Sequence, residues 1–405
     1  MPKTTLAVRA RRLAACTLAT SACLLAALPA FAQAQPAPVK IGFLGEFSGP
    51  QAAIGQDMYD GFMLVVERNG GKLGGVPVQV LKEDSQLKPE VANQVVRKLI
   101  EKDNVPIIAG IGFSNIMLAV HKYVTDNKVF LIGTNAGPSQ IAGAQCSPYQ
   151  FITSWQGDQA AEAVGQYAAT KGYKNIVALA PNYQAGKDEI AGFKRTYKGN
   201  LAEEIYTPLS QVDFSAELAQ VAAKQPDAVF AFYPGGLGVA FTKQYEQAGM
   251  LKKAPLLSAY TIDALSLPAL RESALDMISG GFWAPDFDNA ANKTFVKDFE
   301  AKYKRIPSNY AQQSYDAALL LDSALAKVKG RTDDKPALMA ALKAADFKSV
   351  RGEFRFGSNN FPIQDLQVLQ VVKDDQGRYT LKTISTPLKQ QKDAYESQCK
   401  MASNG

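Results

Sequence analysis

Hydrophobic and polar positions change texture along this chain. Leu13 to Ala32 is one run of apolar and small side chains behind a basic start of Lys3, Arg9, Arg11 and Arg12. From Val39 onward, short apolar runs alternate with stretches whose apolar positions recur every three or four residues. Val39–Gly45, Val76–Leu81, Val105–Gly110, Val129–Gly133, Lys174–Leu179, Asp227–Phe232 and Ala254–Ser258 read as buried strands. Between them, Gln56–Asn69, Pro89–Lys102, Phe113–Asn127, Ala160–Lys171, Gly186–Tyr197, Ala216–Lys224 and Gly238–Ala248 carry helical periodicity. This alternation predicts parallel sheets covered on both faces, and two such runs predict two doubly wound α/β lobes. After Phe295 come three helical stretches. Then come strands at Phe354–Phe356, Leu366–Lys373 and Tyr379–Ile384, the last two flanking an Asp374-Asp375-Gln376-Gly377 turn.

The first run ends in Ala30-Phe31-Ala32-Gln33-Ala34, small residues at alternate positions. A basic start, an apolar stretch and such a site predict a cleaved secretory leader over residues 1–34 and a working protein outside the cytoplasm. No later apolar run approaches the ~20 residues that span a bilayer. The formal charge of +6 shrinks once the leader is removed, because four basic residues and no acidic ones leave with it. The remaining balance and the lack of a clustered basic patch give no nucleic-acid footprint. Composition is otherwise that of an ordinary folded protein, 47% hydrophobic and 20% charged.

Two cysteines remain after the leader, Cys146 and Cys399. In an oxidising compartment such a pair is expected as a disulfide. His121 is the sole histidine, and its helical surroundings read as a partly exposed position. One histidine and two distant cysteines make no zinc site. Gly42-x-x-Gly45 lacks dinucleotide-fingerprint spacing, and there is no phosphate loop, so no cofactor is expected. No nucleophile is paired with a base, which argues against catalysis and leaves a secreted hydrolase as the remote alternative.

Ligands of open parallel sheets sit beyond the carboxyl ends of the strands. That rule selects the segments Phe47–Pro50, Asp84–Gln86, Gly112–Asn115, Gly133–Gly137, Pro181–Tyr183, Tyr233–Gly236 and Ala259–Asp263. Ser114 and Asn115 open a helix, where free N–H groups favour an anion. Ser114 as a mere helix cap, and Tyr183, Tyr233 and Tyr260 as mere packing residues, are the bland alternatives.

The order Ile41-Gly42-Phe43-Leu44, Ser48-Gly49-Pro50, Gly55, Gly61, Asn69-Gly70-Gly71, Gly74-Gly75, Asp84, Asn182-Tyr183, Asp213-Phe214 and Tyr315-Asp316-Ala317 resembles the leucine/isoleucine/valine-binding proteins. These are periplasmic receptors that feed ABC importers. The resemblance implies the type I periplasmic-binding-protein fold, with a three-segment hinge near Thr153–Gln156, Gly281–Pro285 and Pro362–Leu366. It divides the chain into a first lobe of residues 39–154 and 285–364 and a second of 155–284 and 365–401. It implies a monomer that passes its ligand to a membrane permease, with presentation to a membrane sensor as the alternative. It places a ligand carboxylate at Phe113, Ser114, Asn135, Ala136 and Gly137. The opposite wall would hold Tyr183, Tyr233, Tyr260 and Asp263, with Phe47 and Trp283 beside them. Tyr260 falls where the family's ammonium-pairing acid is expected, and Ala185 and Gly137 replace larger residues. An unpaired buried ammonium costs several kcal/mol. The expected ligand is therefore a hydrophobic or aromatic carboxylate, with a branched-chain amino acid next.

Overall fold

The strands and helices follow from where the apolar runs sit. In the computed structural model, which describes residues 37–401, the first such run is β1 (Val39–Gly45), buried from Ile41 onward. The proposed leader lies outside the described residues. Helix α1 (Ala52–Arg68) follows, then β2 (Lys72–Leu73), β3 (Val76–Asp84), α2 (Pro89–Glu101), β4 (Ile107–Gly110), α3 (Ser114–Asp126), β5 (Phe130–Gly133), the short α4 (Ser139–Ala142) and β6 (Gln150–Ile152). They form a six-stranded sheet of order β2-β3-β1-β4-β5-β6, parallel except for β2. The four residues of β4 and of β5 are wholly buried, as strands covered on both faces require.

The chain then builds a second sheet. Its elements are α5 (Gln159–Thr170), β7 (Asn175–Pro181), α6 (Gln184–Thr196), β8 (Asn200–Thr207), α7 (Ser215–Lys224), β9 (Ala228–Ala231), α8 (Gly236–Gln247), β10 (Leu256–Ala259), α9 (Leu267–Leu270) and β11 (Ile278–Gly281). It returns to the first lobe for α10 (Ala290–Tyr303), α11 (Asn309–Val328) and α12 (Lys335–Ala344). Helix α11 packs along α1, and its Tyr315 meets Arg68 of that helix. Finally β12 (Arg355–Phe356), β13 (Pro362–Lys373) and β14 (Tyr379–Gln391) join the second sheet antiparallel to their neighbours, in the order β12-β13-β11-β10-β9-β7-β8 with β14 on β13. The chain thus passes between the sheets after β6, after β11 and over β12 and the start of β13, where Asn360 O accepts from Ile152 N–H of β6 and Gln367 pairs with Gly281 of β11. The α/β architecture of two parallel-sheet lobes is the one expected from the sequence.

Several elements depart from the sequence reading, β2, α4, β6 and α9 among them, and three features have a clear cause. Strand β8 carries Glu203 and Glu204 on a sheet edge, where charge replaces an apolar run. Strand β11 ends in two glycines, and a Cβ on Gly280 would stand 2.2 Å from the Ala160 carbonyl oxygen of α5. His121 is buried, not partly exposed, and its Nε2 lies 2.5 Å from Gln150 Oε1. Burial is the leading cause that lowers its pKa.

Cys146 and Cys399 form the expected disulfide, with a sequence separation of 253 residues. Among the described residues no helix is long and apolar enough to cross a membrane.

Candidate ligand site

Beyond β4 the backbone takes an unusual course. Ile111 has φ +70°, a conformation that costs a β-branched residue ~1–3 kcal/mol. Its N–H donates to Leu44 O at 2.7 Å, and its carbonyl accepts from Ala136 N–H at 3.0 Å. This bend aims the start of α3 across the gap toward α6. Ser114 opens α3, and its N–H and that of Asn115 have no intrahelical carbonyl to reach. The Ser114 Oγ accepts from Ala185 N–H of the opposite lobe at 2.9 Å.

A second bond set crosses the gap nearby. Ser139 donates its N–H and its Oγ–H to Asp188, at 3.0 and 2.8 Å. Gln184 also donates to Ser139 Oγ and to Asp188. The lobes are therefore drawn together around a small cavity of about 30 Å³. That volume accommodates water but no ring, so ligand entry requires hinge opening.

Lobe 1 contributes Phe113, Ser114, Asn135, Ala136, Gly137 and Tyr310 to the wall, and Trp155 comes from the first crossing. Lobe 2 contributes Tyr183, Ala185, Asp188, Glu189 and Phe232. The Tyr183 ring lies 6.2 Å from Phe113 and 6.3 Å from Phe232, at only 16° to the latter. Trp155 stacks against Phe282 and lies 4.5 Å from Tyr260. The result is a set of flat apolar faces beside a helix start.

Six of the ten residues singled out from sequence meet here: Phe113, Ser114, Asn135, Ala136, Gly137 and Tyr183. Asn135 lines the wall, but its amide already donates to Gly112 O and accepts from Gln313. Gly137 does not widen the site. A Cβ there would stand 2.0 Å from the Trp155 carbonyl oxygen, so the glycine lets the Trp155 backbone pass.

The other four lie off this wall. Phe47 packs on Phe43 and Tyr59 with Lys82 over its ring. Tyr233 is fully buried between Phe214 and Phe241 in the outer core of lobe 2, with its hydroxyl on Thr207. Tyr260, at φ +54°, backs Trp155 from behind. Asp263 accepts the N–H groups of Leu265 and Ser266 on one oxygen, its other oxygen is buried without a partner, and burial raises its pKa to about 6. Tyr260 and Asp263 line a separate small cavity with Trp283, whose Nε1 donates to Asn292.

Trp155, Phe232, Tyr310, Asp188 and Glu189 were missed from sequence. Phe232 was within reach, being the last residue of a predicted strand. Asp188 and Glu189 sit inside α6, where acids ordinarily mark a solvated face. Burial raises the Asp188 pKa to about 6 and pushes that of Glu189 far up. Beneath Gly112, burial raises Glu46 to about 8 against a bond from Ser85. No lysine or arginine lines the cavity, and no cluster among the described residues could hold a metal ion.

Known proteins resemble this chain over most of its length. A solute-binding protein of an ABC transporter from R. palustris, solved with benzoate, is 30% identical, with a TM-score of 0.85 over 90% of this chain and 100% of that one. A solute-binding protein from Rhodopseudomonas palustris BisB5, solved with 3,4-dihydroxybenzoic acid, is 28% identical, with a TM-score of 0.83 over 88% and 99%. A Leu/Ile/Val-binding protein homolog from Brucella melitensis is 28% identical over 87% of this chain and 92% of its own length. The periplasmic binding protein family matches residues 38–377, and the chain belongs to that family.

Proposed function

We propose that this protein is a periplasmic receptor that traps a small aromatic carboxylate between its lobes and delivers it to the permease of an ABC importer. The observation that carries this is the pairing of flat ring faces with a helix start. Phe113, Tyr183, Phe232 and Trp155 offer faces for a planar apolar body. The N–H groups of Ser114 and Asn115 and the Ser114 hydroxyl supply donors for a carboxylate without a buried cation. Closure then adds contacts that only the closed form makes, which is how a ligand drives the hinge. The aromatic acids bound by the two R. palustris proteins support this class.

A branched-chain amino acid is the second reading. Asp188 and Glu189 favour it, as does the name of the Brucella relative. Asp188, however, already accepts from Ser139 and Gln184. Glu189 is buried among other acids that oppose its ionisation. Neither is a ready counter-ion for an ammonium. We read the chain as a carrier and not an enzyme; His121 sits in the lobe 1 core, bonded to Gln150.

Calorimetry with benzoate, 4-hydroxybenzoate and leucine decides between the readings. Aromatic acids should bind with Kd of about 1 μM or below and leucine should give no heat. Tight leucine binding with silence from the aromatic acids would reverse the assignment.

A further inference from the structure

Carboxyl groups crowd the lobe 2 side of the cavity. Asp158 and Glu162 come from the start of α5, Asp188 and Glu189 from α6, and Asp393 from the segment after β14. One guanidinium serves them: Arg195 bonds Asp158 at 2.6 Å and also Glu162. Asp188 is answered by Ser139 and Gln184, and Asp393 by the amide of Asn359 and the N–H of Tyr395. Glu189 is different. Its Oε2 is buried without a partner. The residue is 1% exposed and forms part of the cavity wall. Trp155 Nε1, on the same wall, is likewise buried and unpartnered.

Resting on the aromatic-acid reading above, we infer that Glu189 reads an oxygen substituent on the ligand ring, so that the site selects hydroxylated aromatic acids over unsubstituted ones. A carboxylate beside Asp158, Asp188 and Glu162, with the phenols of Tyr183 and Tyr260 near, is opposed by burial first and by like charge second. Glu189 therefore keeps its proton and offers one O–H donor and one carbonyl acceptor. A phenolic hydroxyl satisfies both; a bare ring leaves them unpaired. Sites built to bond a hydroxyl reject analogues that lack it for this reason. Trp155 Nε1–H supplies a further donor to the same class of group.

The test is a set of calorimetric titrations of benzoate, 3-hydroxybenzoate and 4-hydroxybenzoate into the wild-type protein, Glu189→Gln and Glu189→Leu, with thermal melts to establish that each variant is folded. At least one hydroxybenzoate should bind the wild type about tenfold or more tightly than benzoate. Glu189→Gln should retain most of that ratio, and Glu189→Leu should bring it near unity while benzoate still binds. An unchanged ratio in folded Glu189→Leu overturns the inference and leaves the receptor reading intact. Binding of leucine that Glu189→Gln abolishes overturns both, since Glu189 would then be a charged partner for an ammonium. Silence from every aromatic acid also removes both.

Discussion

Two guanidinium groups stand near the cleft, Arg351, buried where the chain crosses between lobes, and Arg195, half-buried against α5 and α6. Arg351 is matched. It bonds Asp316 at 3.1 Å, the carbonyls of Thr153 and Ser154 at 2.6 and 3.1 Å, and Gln364 at 2.7 Å. One cation meets one anion, and its other N–H groups meet the backbone of one crossing and a side chain of another. Arg195 is outnumbered, with Asp158 and Glu162 bonded directly and Asp188 and Glu189 close behind. Burial favours a closed pairing in the first place and retained protons in the second. A balanced cluster fixes geometry, whereas an unbalanced one leaves hydrogen-bonding capacity pointed at the ligand cavity.

Breaking the balanced cluster should have the largest effect. Arg351→Met leaves Asp316 buried without its cation and should cost about 3–5 kcal/mol of stability by urea denaturation. Adding Asp316→Leu to that variant should recover part of the loss, because the orphaned charge goes with it. No recovery would mean that the Thr153 and Ser154 carbonyls, not the ion pair, dominate.

The outnumbered cluster should appear in the pH dependence of stability. Burial raises Glu162 to about 7 and Asp188 to about 6. Both hold protons in the folded protein that the unfolded chain releases above about pH 4.5. Their contribution is therefore greatest in acid and is lost as pH rises through the folded values. Stability should fall by about 4 kcal/mol from about pH 5 to about pH 8, and Glu162→Gln should flatten the decline. A rise over that range would contradict the crowding argument.

The smallest effect sharpens the comparison. Ser139→Ala removes one cross-lobe bond to Asp188 that only the closed form makes. Ligand affinity should weaken about fivefold with the melting temperature of the free protein nearly unchanged. An unchanged affinity would show that Ser139 N–H alone suffices to hold Asp188.

Much of this was legible in the chain. The strand–helix alternation gave both sheets because wholly buried parallel strands must be apolar throughout. Edge strand β8 was hidden because Glu203 and Glu204 do the work of keeping an edge unpaired. Phe113, Ser114 and Tyr183 could be found because the carboxyl ends of parallel strands fix where ligand loops lie. Tyr233 followed the same rule and failed it, since its ring turns outward to Phe214 and Phe241. Asp188 and Glu189 were hidden because their burial depends on α5, the crossings and the opposite lobe together. No local pattern encodes that. The pairing of Cys146 with Cys399 was legible from count and compartment, but not the path between them.

That path has a consequence for how the molecule comes apart. After β14 the chain leaves the second sheet, bonds Asp393 to Asn359 and Tyr395 to Asp158, and is covalently fixed through Cys399 to Cys146 beside α4. Protein ends ordinarily fray first. Here the segment after β14 is a buckle between the two halves, which opposes the unfolding of either one alone. Denaturation should accordingly follow a single cooperative transition, and reducing agent should be needed to split it in two.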